Sequence, residues 1–172
     1  MDYPVISLFS GAMGLDLGLA KAGLDIAVTQ DFDPWCVKTI ERNGHRCVPG
    51  DIRKLVADDP DCAFLLRPAG LTRGEPFLVV GGPPCQPFST AGRRQAINDP
   101  RGSLFREFAH VIRATRPRFF IMENVKGLLS AAIRHVPISE RGKTLSPEEQ
   151  QGSVFRVIRE EFDRLDYSVV WG

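Results

Sequence analysis

The chain has 172 residues, of which 43% are hydrophobic and 25% charged, a balance that suits one soluble globular domain and excludes a disordered or low-complexity protein. A formal net charge of +1 leaves no electrostatic footprint of a strongly basic nucleic-acid binder. No apolar run approaches the ~20 residues that span a bilayer, and Met1-Asp2-Tyr3-Pro4 lacks a secretion signal, so an intracellular, cytoplasmic protein with no membrane partner is expected.

Tyr3 to Phe9 is a short apolar run that ends in Ser10-Gly11-Ala12-Met13-Gly14 and passes into a helix-compatible stretch to Ala22, with Gly23 as its stop. Leu24 to Thr29 predicts a second strand, and Asp33-Pro34 opens a helix that Asn43-Gly44 closes. A third strand is expected around Arg46 to Val48, before Pro49-Gly50-Asp51. Phe77-Leu78-Val79-Val80, apolar on both faces, suits a strand in the middle of a sheet. From Arg101 to Thr115, Leu104, Phe105, Phe108, Val111 and Ile112 fall at helical spacing, and Arg116-Pro117 breaks to the strand Phe119-Phe120-Ile121-Met122. Residues 133–152 mix Pro137, Gly142, Pro147 and Gly152 with polar residues and predict an exposed loop or insertion. Val154, Phe155, Ile158, Phe162 and Leu165 then share one helix face, and Tyr167 to Trp171 predicts a sixth strand. This alternation implies an α/β fold, a Rossmann-like doubly wound and mostly parallel sheet, whose ligands sit at the carboxyl ends of the strands.

Chemistry-bearing residues fall at those ends. The turn from Phe9 to Leu15 brings glycines to a helix N-terminus, but it is not a GxGxxG and a turn without a ligand would look the same. Asp31 is the type and place of a carboxylate that takes ribose hydroxyls, though its local sequence equally fits a helix cap before Pro34. Asp51 follows the third strand, and the three ends together describe a nucleoside pocket better than any one alone. Gly81-Gly82-Pro83-Pro84-Cys85-Gln86-Pro87-Phe88-Ser89 leaves Cys85 on a stiffened loop at the active edge, as a nucleophile, a buried thiol or a redox sensor. Glu123-Asn124 follows the next strand, so that Cys and Glu on neighbouring strand ends have separable roles. Cys36, Cys47, Cys62 and Cys85 show neither a CxxC nor a dense framework, which argues against a disulfide scaffold, a structural zinc or any metal, His45 beside Cys47 notwithstanding.

Taken in order, these strings resemble the DNA cytosine-5 methyltransferases from residue 4 to residue 172. Phe9, Ser10, Gly11, Ala12, Met13, Gly14 and Leu15 are similar to the family's cofactor motif, Asp31-Phe32 to its ribose and adenine motif, and Gly50-Asp51-Ile52 to its adenine-edge motif. Pro83-Pro84-Cys85-Gln86 with Phe88-Ser89 resembles the nucleophile motif, Asp99 to Phe105 the start of the following helix, and Met122-Glu123-Asn124-Val125 the acid motif. Met13 departs from the family's usual Gly, and its side chain is expected to narrow the methionine end of the pocket.

The resemblance implies a class I methyltransferase domain that binds S-adenosyl-L-methionine, in a prokaryotic restriction-modification setting, and methylates C5 of cytosine in double-stranded DNA. Cys85 would attack C6 and Glu123, protonated or sharing a proton with ring N3, would stabilise the developing charge. Asn124 would hold Cys85 or Glu123 in place, and Pro84 and Leu104 would wall the cofactor. The base is flipped out in this family, and Ser89 to Arg101, with Gln86, Arg93, Arg94 and Arg101, resembles the loop that closes over it; each arginine fits a solvated loop equally well. The family continues into a Gln- and Arg-rich motif, a target-recognition region and two C-terminal motifs, none of which occurs here, so the domain is expected to be partial and to need a complementary subunit. A split subunit, a truncated product, a related tRNA cytosine-5 methyltransferase and a non-catalytic remnant remain open at this stage.

Overall fold

The computed structural model describes residues 3–84, 104–134, 136 and 144–172. They fall into two compact units, one running to Pro83 and resuming at Arg106–Glu123, the other containing Pro84, Leu104, Phe105 and the described residues from Asn124 onward.

The first unit is a five-stranded sheet in the order β3-β2-β1-β4-β5, every pair parallel: β1 Pro4–Leu8, β2 Asp25–Asp31, β3 Cys47–Pro49, β4 Leu78–Gly81 and β5 Phe119–Met122. All four residues of β4 are buried, as its uninterrupted apolar run requires of a central strand. Val5, Ile26, Leu78 and Val80 form one core cluster, joined by Leu19, Leu24 and Phe77. Ile6, Leu8 and Val79 alternate with them and point to the opposite face of the pleat, toward α5, Leu104–Thr115, whose Phe108, Val111 and Ile112 are buried.

Helix α1, Gly14–Lys21, connects β1 to β2, and α2, Pro34–Arg42, connects β2 to β3. The α2 start has a sequence-local cause: the Asp33 carboxylate accepts from Trp35 N–H at 2.8 Å and Cys36 N–H at 3.2 Å, with Pro34 in the first helical turn. Between β3 and β4 lie two short helices that periodicity does not announce, α3, Ile52–Asp58, and α4, Ala63–Ala69. The strand order reverses between β1 and β4, so the crevice beside their carboxyl ends is where a doubly wound sheet takes its ligand.

Met13, the residue before α1, has φ 65 and ψ 23, a left-handed conformation that side chains resist, and it is fully buried. With no exposed atom, its side chain does not line an open pocket. Its bulk goes to the core, and its backbone explains why a glycine would be at ease there. Met13→Ala is therefore expected to destabilise more than Met13→Gly, because alanine keeps the strain and loses the packing, whereas glycine loses the packing alone. Both should fall below wild type, by about 1–4 kcal/mol or roughly 3–12 °C in thermal melts; equal melting of the two variants would remove the strain from the account.

In the second unit, residues Lys126–Ser130 form a 3-10 turn and α6 runs Ser153–Asp163. The buried Ser153 hydroxyl donates to Glu148 O at 3.0 Å and accepts from Ile133 N–H at 2.9 Å, fastening the start of α6. Phe105 and Phe162 meet edge to face at 5.7 Å. The sixth strand predicted at Tyr167–Trp171 is corrected: these residues join no sheet. Asp166 turns left-handed at φ 65, Tyr167 N–H closes back onto Phe162 O at 3.0 Å, and Trp171 packs at 5.1 Å on Phe155. An apolar extended run becomes a strand only where a neighbouring ladder takes its N–H and C=O groups.

Candidate functional site

A parallel sheet gathers the carboxyl ends of its strands on one edge, so β3, β2, β1, β4 and β5 deliver their last residues there in that order. At the end of β1 the turn is held from both sides. Ser10 N–H reaches Gln30 O at 3.2 Å, Met13 N–H reaches Ser10 O at 2.8 Å, and the Ser10 hydroxyl donates to Ser7 Oγ at 2.9 Å. Gly11 N–H donates to Asp31 Oδ2 at 2.8 Å and Asp33 N–H to Asp31 Oδ1 at 2.9 Å. The Asp31 carboxylate, almost wholly buried, thus pins the first turn to the second, and each oxygen keeps one lone pair for a further donor. Next to it Phe32 is 67% exposed, a flat apolar ring with nothing over most of it. Phe9 is half-buried, while Ala12, Gly14 and Leu15 are exposed along the turn. A Cβ placed on Gly11 would meet only Phe9 O, at 4.0 Å, so the space above that backbone is open.

The third strand end is tied to the second as well. Gly50 N–H donates to Asp31 O at 3.0 Å, and the Gln30 side-chain amide donates to Gly50 O at 2.6 Å. Gln30 is 1% exposed, and its Oε1 has no hydrogen-bond partner. It is a hub that sequence reasoning missed. The available signal was a large polar side chain near the end of an inner strand, which must have a partner where it is buried. Asp51 caps α3 through Arg53 N–H at 3.0 Å, and Ile52 beside it is buried. The Arg53 guanidinium holds the Asp51 carboxyl below its ordinary range.

Across the switch point, Gly81 and Gly82 are required by steric facts. A Cβ on Gly81 would sit 2.7 Å from Leu8 O, against the neighbouring strand's backbone. A Cβ on Gly82 would sit 2.9 Å from Glu123 Oε2, so the Glu123 carboxylate lies over bare backbone, its own N–H bonded to Gly81 O at 3.0 Å. Glu123 is solvent-exposed at the end of β5. The sheet edge therefore brings together Phe9 to Leu15, Asp31, Phe32, Asp51, Ile52, Gly82 and Glu123. Asn124, Pro84 and Leu104 belong to the second unit: the Asn124 amide oxygen accepts from Val125 N–H at 2.8 Å, Pro84 is exposed, and Leu104 is half-buried at the start of α5. Cys85, Gln86, Ser89, Arg93, Arg94 and Arg101 lie outside the described residues, as does much of the loop expected at 133–152, residues 135 and 137–143.

Beneath the first turn, Asp16 is 1% exposed and its Oδ1 has no hydrogen-bond partner. Burial pushes its carboxyl above the ordinary value of 3.8, against a lowering hydrogen bond with the Ser7 side chain. The folded state therefore holds this proton more tightly than the unfolded chain. Its cost to stability is absent below 3.8 and grows as pH rises through the higher folded value. Asp16→Asn should accordingly melt higher than wild type at pH 7.5, by about 1–3 kcal/mol or roughly 2–10 °C, with the gap closing near pH 3.5. A gap independent of pH would show that charge is not the cause.

A family model for C-5 cytosine-specific DNA methylases matches residues 3–172. The chain is 42% identical over 132 residues to type II methyltransferase M.AquIA of Picosynechococcus sp., an alignment covering 76% of this chain and 51% of that protein. It is 35% identical to type II methyltransferase M1.HphI of Haemophilus parahaemolyticus over 98% of this chain and 40% of that one. Among solved structures, a protein described as a DNA modification methyltransferase encoded within an E. coli prophage superposes with a TM-score of 0.54 at 29% identity, over 74% of this chain and 33% of that one. The S. pombe Dnmt2 methyltransferase shares the fold with a TM-score of 0.56 at 23% identity, over 93% of this chain and 40% of that one. The chain spans about half or less of the length of these relatives.

Proposed function

Because the chain belongs to the C-5 cytosine-specific DNA methylases, we propose that it supplies the cofactor-binding and catalytic portion of an enzyme that methylates C5 of cytosine in double-stranded DNA, within a type II restriction-modification system. One observation supports this reading: Asp51, Asp31 and the Phe9 to Leu15 turn, the groups suited to a nucleoside, end strands on one side of the switch point, and Gly82 and Glu123 follow strands on the other.

The residues present fit S-adenosyl-L-methionine. Asp31 has a free lone pair on each oxygen for ribose hydroxyls, Phe32 exposes a face for adenine, and the backbone at Gly11 is open to close approach. Asp51 would meet the adenine edge. The bound cofactor would supply an electrophilic methyl group. The chain's own residues make cytosine able to accept it. The Cys85 thiolate forms a bond to C6, which drives ring electrons toward C5 and N3, and Glu123 provides the proton that N3 takes up. With C5 methylated, a base removes its proton, those electrons expel the thiolate, the C6–sulfur bond breaks, and N3 returns its proton to Glu123. Asn124 steadies the acid, while Gln86, Ser89, Arg93, Arg94 and Arg101 close on the extruded base and its phosphates.

The target-recognition function would come from further polypeptide, a continuation of this chain or a complementary subunit. Phe119 and Ile121 of β5 are 49% and 44% exposed, apolar surface of the kind such a segment covers.

Asp31→Ala is expected to weaken S-adenosyl-L-methionine binding about 10- to 100-fold by calorimetry, the loss of charge-assisted hydrogen bonds; unchanged affinity would refute the ribose role. Radiolabelled methyl transfer by the chain together with the polypeptide encoded beside it is expected to reach duplex DNA. Transfer to tRNA and not to DNA would replace the substrate in this reading.

A further inference from the structure

Asp51 and Asp31 stand at adjacent strand ends but differ in what they can still accept. Asp31 takes one backbone donor on each oxygen. On Asp51, Oδ1 accepts from Arg53 N–H and Arg53 Nε, both at 3.0 Å, while Oδ2 accepts from Nε at 3.2 Å and Nη2 at 2.6 Å. Arg53 thus sets three N–H groups on the two oxygens, its Nε–H shared between them, so one arginine covers the carboxylate. A further donor, such as the exocyclic amine of a purine, has to compete with the guanidinium.

Arg53 is free to be displaced. Its side chain is 46% exposed, and an exposed ion pair of this kind is weak enough to exchange.

We infer that Arg53 is a latch on Asp51, giving way when a ligand's exocyclic amine takes the carboxylate. Arg53 is then a positioning residue that sets the strength and selectivity of adenine-edge recognition. The inference rests on the reading of Asp51 as the group that meets that edge.

The test is calorimetric titration of the whole chain with S-adenosyl-L-methionine and with its analogue carrying oxo in place of the adenine 6-amino group. Arg53→Gln is expected to bind S-adenosyl-L-methionine about two- to fivefold tighter than wild type, the size of an exposed ion pair. The analogue, having no amine to offer Asp51, should show no such gain. Arg53→Lys, which keeps the charge but not the fork, should fall between wild type and Arg53→Gln. Asp51→Asn retains a helix-capping side chain and is expected to lose about tenfold. If Asp51→Asn binds like wild type, the adenine-edge reading fails and the latch with it. If Asp51→Asn weakens binding while Arg53→Gln and Arg53→Lys bind no tighter than wild type, or gain equally with the analogue, the latch alone is overturned.

Discussion

Replacing Cys85 by serine is expected to abolish methyl transfer, on the order of 10⁴-fold or more, while S-adenosyl-L-methionine binding stays within about twofold of wild type. A serine hydroxyl is not ionised near neutral pH and cannot add to C6 unaided. The groups proposed to bind the cofactor lie at the ends of β1, β2 and β3, on the other side of the switch point from the segment that leaves β4. No described thiol is fit to substitute. Cys62 is fully buried and pushed to about 12 by desolvation, and burial raises Cys36 and Cys47 above the ordinary thiol range as well. A duplex carrying 5-fluorocytosine, whose C5 has no proton to surrender after methylation, should trap the wild-type chain covalently when S-adenosyl-L-methionine and the polypeptide encoded beside it are added, and leave the serine variant free. Undiminished transfer by Cys85→Ser would end the nucleophile assignment.

The second large effect concerns Glu123 and the two glycines beside it. Glu123→Gln removes the proton offered to N3 and is expected to cost about 10²–10⁴-fold in the rate of methyl transfer. Gly82→Ala should reproduce much of that loss, about 10²-fold, without harm to the fold, because the new methyl meets the mobile end of the Glu123 side chain at 2.9 Å and pushes it aside. Gly81→Ala, one residue earlier, meets Leu8 O at 2.7 Å, a backbone atom that cannot yield. It is expected to cost about 1–3 kcal/mol of stability, a fall of roughly 3–10 °C in melting temperature. Thermal melts and single-turnover rates together distinguish the two; a Gly82→Ala chain with full activity would detach Glu123 from the chemistry.

Much of the fold was legible because buried parallel strands write themselves as uninterrupted apolar runs between glycine-bearing turns. Leu78 to Gly81 shows this most fully; Val5 to Leu8 carries the polar Ser7, and Phe119 to Met122, at the sheet's edge, is apolar but partly exposed. Their order alone implied which edge would hold the chemistry. Short helices were not legible. α3 is anchored by Ile52 and Val56, too few residues for a period, and α4 carries Pro68 within its last turn. Tyr167 to Trp171 has a strand's composition without a strand's partner. At the site, Asp31, Asp51 and Glu123 could be picked out from residue type at strand ends. What each is bonded to could not: the grip of Asp31 on Gly11 spans 20 positions, and the Gln30 tie to Gly50 spans another 20. Met13 was misjudged because a side chain at a glycine position reads as an obstruction, when a left-handed turn can carry it inward.

The all-parallel sheet has one more use. Because the carboxyl ends of all five strands share an edge, the links that enter the strands from helices, Ala22–Leu24, Asn43–Arg46, Gly70–Phe77 and Arg116–Arg118, lie along the opposite rim of the first unit. A fluorophore or an affinity tag can be anchored on that rim, at Gly23, Gly44 or Gly74, where an added Cβ meets nothing within 4 Å and the positive φ is the one strain to accommodate. Reporters placed there would follow ligand binding and assembly from behind the sheet, leaving the reacting edge untouched.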